Sequence, residues 1–305
     1  MAKQHDAVHM TMNETWECVF CGTSTAELPA VDSAQVRCDV REFGDETFTV
    51  WRCARCGSLH AKEPIDPDRY YQNYVNGRLS LEYYSFLKVV FRKRMKTLKP
   101  AGLKRGMTLL DYGCGSGHFV RYAREHGVRA EGYDPYSEEF GDVSVLDGRY
   151  DFVTAQDVFE HVEDPHALVA DLKSYAEPNG CIAVGTCNAD AIDIHNPLDQ
   201  VGPLHQPFHR HISTAAELQK MTSEGGWKVI KFNRDSLADT LIPFFNTAVG
   251  YRLLTSTGGY LDVALDPVSS WLKDFLTHPS LIFWGLFGSF FSRKTDMMVV
   301  AHSPA

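Results

Sequence analysis

The stretch "LLDYGCGSGHF", residues 109–119, decides the fold of this chain. A short apolar run ends at Asp111. Gly113, Gly115 and Gly117 then alternate with single residues before "HFVRYAREHG" takes up helical spacing. A strand, a glycine turn and a helix N-terminus in that order let the backbone approach a ligand closely and point amide N–H groups at it. Dinucleotides are bound by the same kind of unit, so the turn alone sets a ligand class and no particular cofactor.

Outward from that turn, strand and helix patterns alternate. "VRAEGYDP" reads as a second strand, "YDFVTAQDVFEHV" as a strand running into a helix, "PHALVADLKSYAEPNG" as a helix and "CIAVGTC" as another strand. "TAAELQKMTSEGG" and "WKVIKFN" add a helix–strand pair, and "DMMVVAHS" is a final strand. This alternation predicts a doubly wound α/β sheet. Upstream, Asp66 or Asp68 can cap a short helix. A longer helix is expected from about Leu79 to Leu98, with Leu81, Tyr84, Leu87, Phe91 and Met95 on one face and Pro100 and Gly102 ending it. Arg92, Lys93, Arg94 and Lys96 read as a solvated basic face in its second half.

Two further stretches share a pattern: "CVFCGT" with Cys18 and Cys21, and "CARCGS" with Cys53 and Cys56. Each is C-x-x-C followed by glycine. One tight turn can present both thiolates of a pair to an ion, and zinc takes four such ligands in a tetrahedron. The glycine supplies the positive φ such a turn needs. The 31 intervening residues leave room for a β-hairpin, with "ETFTVWRC" as the strand entering the second turn. A redox pair would sit in a βαβ context, which is lacking here. Cys38 is left as a spare thiol. A closed four-cysteine site is structural and performs no chemistry.

The net charge of −9 excludes an overall field favouring nucleic acid and points to a small-molecule substrate. The N-terminus carries no apolar run of a signal peptide. The longest apolar stretch, "PSLIFWGLFGSFF" at 279–291, is shorter than the ~20 residues that span a bilayer. A cytoplasmic protein without a transmembrane segment is expected.

The series "DYGCGSG … YDP … DVFEHVEDP … LKSYAEPNG" resembles class I S-adenosylmethionine-dependent methyltransferases over residues 107–234 and the last strand. The two cysteine pairs followed by "EPIDPDRYYQNY" are similar to the zinc-ribbon front end of the branch that holds deoxysugar C-methyltransferases and related natural-product and cell-surface enzymes. The "HEHxxYF"-like motif and extra C-terminal domain of the deoxysugar enzymes are lacking. The resemblance implies a Rossmann-like doubly wound seven-stranded sheet with an antiparallel last strand, a small N-terminal zinc ribbon, S-adenosylmethionine as cofactor and S-adenosylhomocysteine as product. Asp111, Gly113, Gly115 and Gly117 would line the methionine end. Asp134 would hold the ribose, and Ala155 and Gln156 would face the sulfonium. Only 16 residues separate Asp134 from Asp151, so the adenine side is shortened; Asp147 is placed to bond the adenine amino group.

Methyl transfer is an in-line displacement in which the protein chiefly aligns the reactants. A hydroxyl or carbon acceptor also loses a proton, and histidine suits that task. His161 in "VFEHVEDP" is one candidate; the other reading is that Glu160 and His161 brace a helix. "GPLHQPFHRHIST" supplies His205, His209 and His211, only one of the last two facing inward if the segment is extended. Three histidines could hold a metal, but the segment brings no carboxylate. Arg210 could pair with a phosphate or carboxylate.

Residues 235–295 separate the last two strands and are rich in Phe, Tyr and Trp. Three readings compete: a substrate cap, a homodimer surface, or a peripheral membrane contact beside Arg293 and Lys294. The expected organisation is a zinc ribbon at 1–65, a helical linker at 66–104, a core at 105–234 with 296–305, and a helical insertion at 235–295. The expected activity is methyl transfer to an oxygen or carbon of a sugar-containing or natural-product small molecule. An inactive cofactor-binding protein whose ribbon docks a partner, or a quinone or lipid methyltransferase at a membrane surface, stands as the alternative.

Overall fold

The computed structural model describes residues 17–66, 69–70, 84–266 and 268–304. The N-terminal leader reading, the Asp68 cap and the first turn of the expected Leu79–Leu98 helix lie outside the described residues.

The core sheet is built from β4 (Thr108–Tyr112), β5 (Arg129–Tyr133), β6 (Tyr150–Gln156), β7 (Ala176–Cys187), β9 (Lys228–Asn233) and β10 (Asp296–His302), in the order β5-β4-β6-β7-β10-β9. β4, β5, β6 and β7 pair in parallel, whereas β10 runs antiparallel to both β7 and β9. Both faces are covered, and the strands show it by alternation. Leu110, Val153, Ile182, Val184 and Val299 enter one buried cluster; Leu109, Phe152, Cys181, Ala183 and Val300 enter the other. The first cluster is capped by α3 (Pro165–Ser174) and α4 (Ala215–Ser223), the second by α1 (Tyr84–Leu98) and α2 (His118–Glu125). Asp164 and Thr214 start α3 and α4 by accepting from backbone N–H groups of their first turns. Gly102, at φ 114°, follows the short turn that ends α1.

Among the described residues six strands form this sheet, where the resemblance implies seven. The passage between β5 and β6 holds a turn at Asp134 and a 3-10 segment, Val143–Asp147, whose N-terminus Asp142 caps. A further strand with its own crossover does not fit in so few residues. β5 is therefore the edge.

A second sheet has four antiparallel strands: β1 (Ser33–Arg37), β2 (Thr47–Arg52), β3 (Leu59–Ala61) and β8 (His211–Ile212). The first three lie within the cysteine-bearing segment, and β1 and β2 fill the interval between the two cysteine pairs as a hairpin. The fourth comes from the core's histidine-rich connection, with Leu59 opposite Ile212 and His60 opposite His211. Cys18, Phe20, Trp51 and Cys53 share a buried cluster with Leu110 and Phe159. The cysteine-bearing segment is thus packed into the core through shared apolar residues.

The insertion forms α5 (Thr247–Ser256), α6 (Val268–Thr277) and α7 (Ser280–Phe287). It is tied to the ribbon by Arg41, which meets Asp262 at 2.9 Å and Asp266 at 2.8 Å, and by Arg37, which donates to the Tyr260 hydroxyl. Its outer side leaves Phe283, Phe287, Phe290 and Phe291 exposed. Among the described residues, no helix is long and apolar enough to cross a membrane.

Candidate active site

The chain order turns back between β5 and β6, so the carboxyl ends of β4 and β6 meet at a topological switch point, where open α/β sheets bind ligands. Gly113, Gly115 and Gly117 lie there with φ of 71°, 54° and 67°, all left-handed. Their surroundings differ. A Cβ on Gly113 would stand 2.2 Å from Val158 Cγ2, and one on Gly117 would stand 2.2 Å from the Phe140 ring. A Cβ on Gly115 would meet no atom within 4 Å. The outer two glycines are needed for packing, and the middle one borders open space. That opening lies beside the N-terminus of α2.

Asp134 closes the other side. Its Oδ2 accepts from the Gly115 N–H at 2.8 Å and its Oδ1 from the Tyr136 N–H at 2.9 Å. A carboxylate offers about four lone-pair sites, so each oxygen retains one beyond these bonds.

Asp111 is placed differently from the expectation. It is buried and faces α1, where Arg94 Nη2 donates to Oδ1 at 2.5 Å; the Thr154 hydroxyl donates to the same oxygen at 2.8 Å. Arg94 is itself buried and lies over the Phe119 ring at 3.8 Å, and its Nε has no hydrogen-bond partner. The basic cluster of α1 is thus only partly a solvated face: Arg92 and Lys96 are exposed, Arg94 is buried, and Lys93 donates to the carbonyls of Ser236 and Asp239 at 2.5 and 2.7 Å.

At the end of β6, the Ala155 side chain is buried in the core. Gln156 is half-buried against Gly185 and donates to Asp157 Oδ1 at 2.7 Å. Asp157 adopts φ 55°, an uncommon conformation for a residue with a Cβ and of the kind that gathers at functional sites. Asp147 is exposed at the end of its 3-10 turn.

The histidines separate into two groups. His161 and His209 meet with ring centroids 4.7 Å apart, next to the buried carboxylate of Glu160. His161 Nδ1 faces the Phe208 carbonyl at 3.1 Å, and His209 Nδ1 faces the Pro203 carbonyl at 2.8 Å. His211 lies apart, packed edge-on against Phe20 and Phe159 with Nε2 2.9 Å from the Phe159 carbonyl. Desolvation pushes His161 down to about 3 and His211 to about 4, and it lowers His209 well below the usual imidazole value. All three are therefore neutral near pH 7. Burial, joined by the charge of Asp157, raises Glu160 to about 8. Arg210, the anion-binding candidate, instead donates to the Glu63 carbonyl at 2.7 Å.

Cys18, Cys21, Cys53 and Cys56 converge, with all four sulfurs within 4.8 Å of one another. Cys18 and Cys56 stand 3.4 Å apart, and Cys21 and Cys53 stand 3.6 Å apart. Thiolates at about 2.3 Å from zinc lie about 3.8 Å apart along a tetrahedral edge. Gly22 and Gly57 take φ of 67° and 77°, and their N–H groups close the two cysteine turns onto the Cys18 and Cys53 carbonyls. The residues fit a zinc ion.

Residues 83–231 match the family described as "Methyltransferase domain". That match covers 149 of the 305 residues, just under half of the chain. No curated protein matches it by sequence. Solved structures similar to it include Haemonchus contortus phosphoethanolamine N-methyltransferase 2 in complex with S-adenosyl-L-methionine, at 14% identity, 84% coverage of this chain, 64% of that one and TM-score 0.47. A SAM-dependent methyltransferase from Archaeoglobus fulgidus is 17% identical, with 77% and 99% coverage and TM-score 0.45. An S-adenosylmethionine-dependent methyltransferase from Mesorhizobium loti is 16% identical, with 69% and 98% coverage and TM-score 0.41. At these values no neighbour's substrate transfers to this chain.

The residues that sequence reasoning missed are Arg94, taken for a surface charge, and Glu160 as a partner of His209, which lies far from it along the chain.

Proposed function

We propose that the protein is an S-adenosylmethionine-dependent methyltransferase acting on oxygen or carbon of a small molecule of the sugar-containing or natural-product class. The observation that carries this reading is the open space at Gly115 beside Asp134, at the switch point of a segment that matches a methyltransferase domain. When bound, S-adenosylmethionine supplies a methyl group on a positively charged sulfur.

The chain's own residues do the rest. Asp134 orients the ribose through its remaining lone pairs. The Gly115 backbone lets the ligand approach, and the buried Arg94 guanidinium holds Asp111 at the end of the strand that leads into the glycine turn. His161 and His209, both neutral, stand on the acceptor side, where an imidazole can take or orient a proton. Zinc in the four-cysteine site would fix the ribbon, and β3 of the ribbon in turn holds β8. In this reading the metal acts on the site only through the fold.

The test is a methyl-transfer assay with radiolabelled cofactor across hydroxylated sugar and polyketide acceptors. Turnover on one class, lost in Gly115→Val, supports the reading. Tight cofactor binding with no transfer to any acceptor would favour a binding protein.

A further inference from the structure

We propose that Glu160, His161 and His209 form a second metal site, for a divalent transition-metal ion, that binds the oxygen acceptor of the methyl-transfer reaction. The inference deepens the function proposed above and rests on it for the identity of the acceptor.

One ligand atom from each of the three residues lies within 4.8 Å of the other two. The carboxylate is prepared for a ligand. Glu160 is 0% exposed; its Oε2 accepts from the Thr186 hydroxyl at 2.8 Å, while its Oε1 is buried with no hydrogen-bond partner. A buried carboxyl group with so few partners, the Cys187 thiol beside it included, is costly unless something further meets it. The imidazoles are prepared as well. Both Nδ1 atoms face backbone carbonyls, Phe208 at 3.1 Å and Pro203 at 2.8 Å, so each ring carries its proton there and its lone pair on Nε2. Outer hydrogen bonds of this kind orient metal-bound histidines.

Two imidazoles and a carboxylate suit Zn, Fe, Co or Mn rather than Mg or Ca. Three protein ligands leave coordination positions open, as in catalytic sites, whereas the four-cysteine site is closed. Open neighbouring positions fit an acceptor with two adjacent oxygens, a vicinal diol or a hydroxy-ketone. A hydroxyl coordinated there loses its proton to the medium more readily than it does in water. The acceptor oxygen then forms its bond to the methyl carbon as the carbon–sulfur bond breaks, and the sulfur keeps that electron pair.

Metal-stripped full-length protein titrated with Co²⁺ alone tests the site. The wild type is expected to bind about two equivalents, one with thiolate-to-cobalt charge-transfer absorption and one with only weak visible bands. Glu160→Gln, which conserves shape and the Thr186 contact, and His209→Ala are expected to bind about one equivalent each with the charge-transfer band intact. That retained band also reports a folded ribbon. Cys21→Ser should do the reverse. Binding of about one equivalent by the wild type, or an unchanged count in folded Glu160→Gln, would overturn the site. Cofactor affinity is measured separately, so failure of the methyltransferase reading and failure of the metal site are told apart.

Discussion

Asp39 Oδ1 and His205 Nδ1 lie 2.5 Å apart, and both residues are buried. This pair joins the cysteine-bearing segment to the connection that carries His209 and His211. Together with the His60–His211 strand pairing and the Ala61 N–H donating to the Arg210 carbonyl, it fixes the cysteine-bearing segment to the histidine-rich connection. Leaving a buried hydrogen-bonding group without its partner costs about 1–3 kcal/mol. Asp39→Ala is therefore expected to lower stability by about that amount in urea titration. Any methyl-transfer activity should fall more than cofactor affinity does.

The buried Arg94–Asp111 pair gives a second test. Arg94→Met or Asp111→Leu alone should cost about 3–5 kcal/mol by leaving the other charge unpaired. The double variant should recover most of it, because both charges are then absent. A double-mutant cycle by urea unfolding checks this, and additive losses would show that the two residues act independently.

The three glycines should separate by role. Gly113→Ala and Gly117→Ala meet side chains at 2.2 Å and adopt left-handed φ, so both should lose several kcal/mol of stability. Gly115→Ala meets no neighbour. It should lose only the ~1–2 kcal/mol of a left-handed non-glycine residue, while cofactor affinity drops at least tenfold. Thermal melts paired with binding measurements read both effects.

Acid should weaken the ribbon interface. Desolvation holds His60 well below its ordinary value, with the charge of His211 adding to the effect, and it holds His211 at about 4. The unfolded chain takes up these protons near pH 6.5 and the native one does not, so native stability falls as pH drops from about 6.5 toward 4. His60→Phe, which keeps a ring stacked on Trp51, should flatten that slope. Urea midpoints across this range in both proteins make the comparison.

Much of the core was legible because its signals are local. A glycine turn needs no distant partner to be recognised, and a cysteine pair with its following glycine encodes its own turn. The 16 residues between Asp134 and Asp151 leave little room for a further strand there, against the seven that the resemblance implies. Arg94 was legible in principle: it sits three residues after Phe91 on the buried face of α1, but its basic neighbours suggested solvent. Glu160, His161 and His209 could not be grouped from the sequence, because a long stretch of chain separates them and only the fold brings them together. The fourth ribbon strand was hidden for the same reason.

The cleft at Gly115 and Asp134 is expected to bind S-adenosylmethionine. Isothermal titration of the purified, folded protein with S-adenosylhomocysteine measures this directly. One saturable site per chain is predicted, weakened at least tenfold (about 1.4 kcal/mol) by Asp134→Ala. Absence of binding at millimolar ligand, or equal binding by Asp134→Ala, would contradict it.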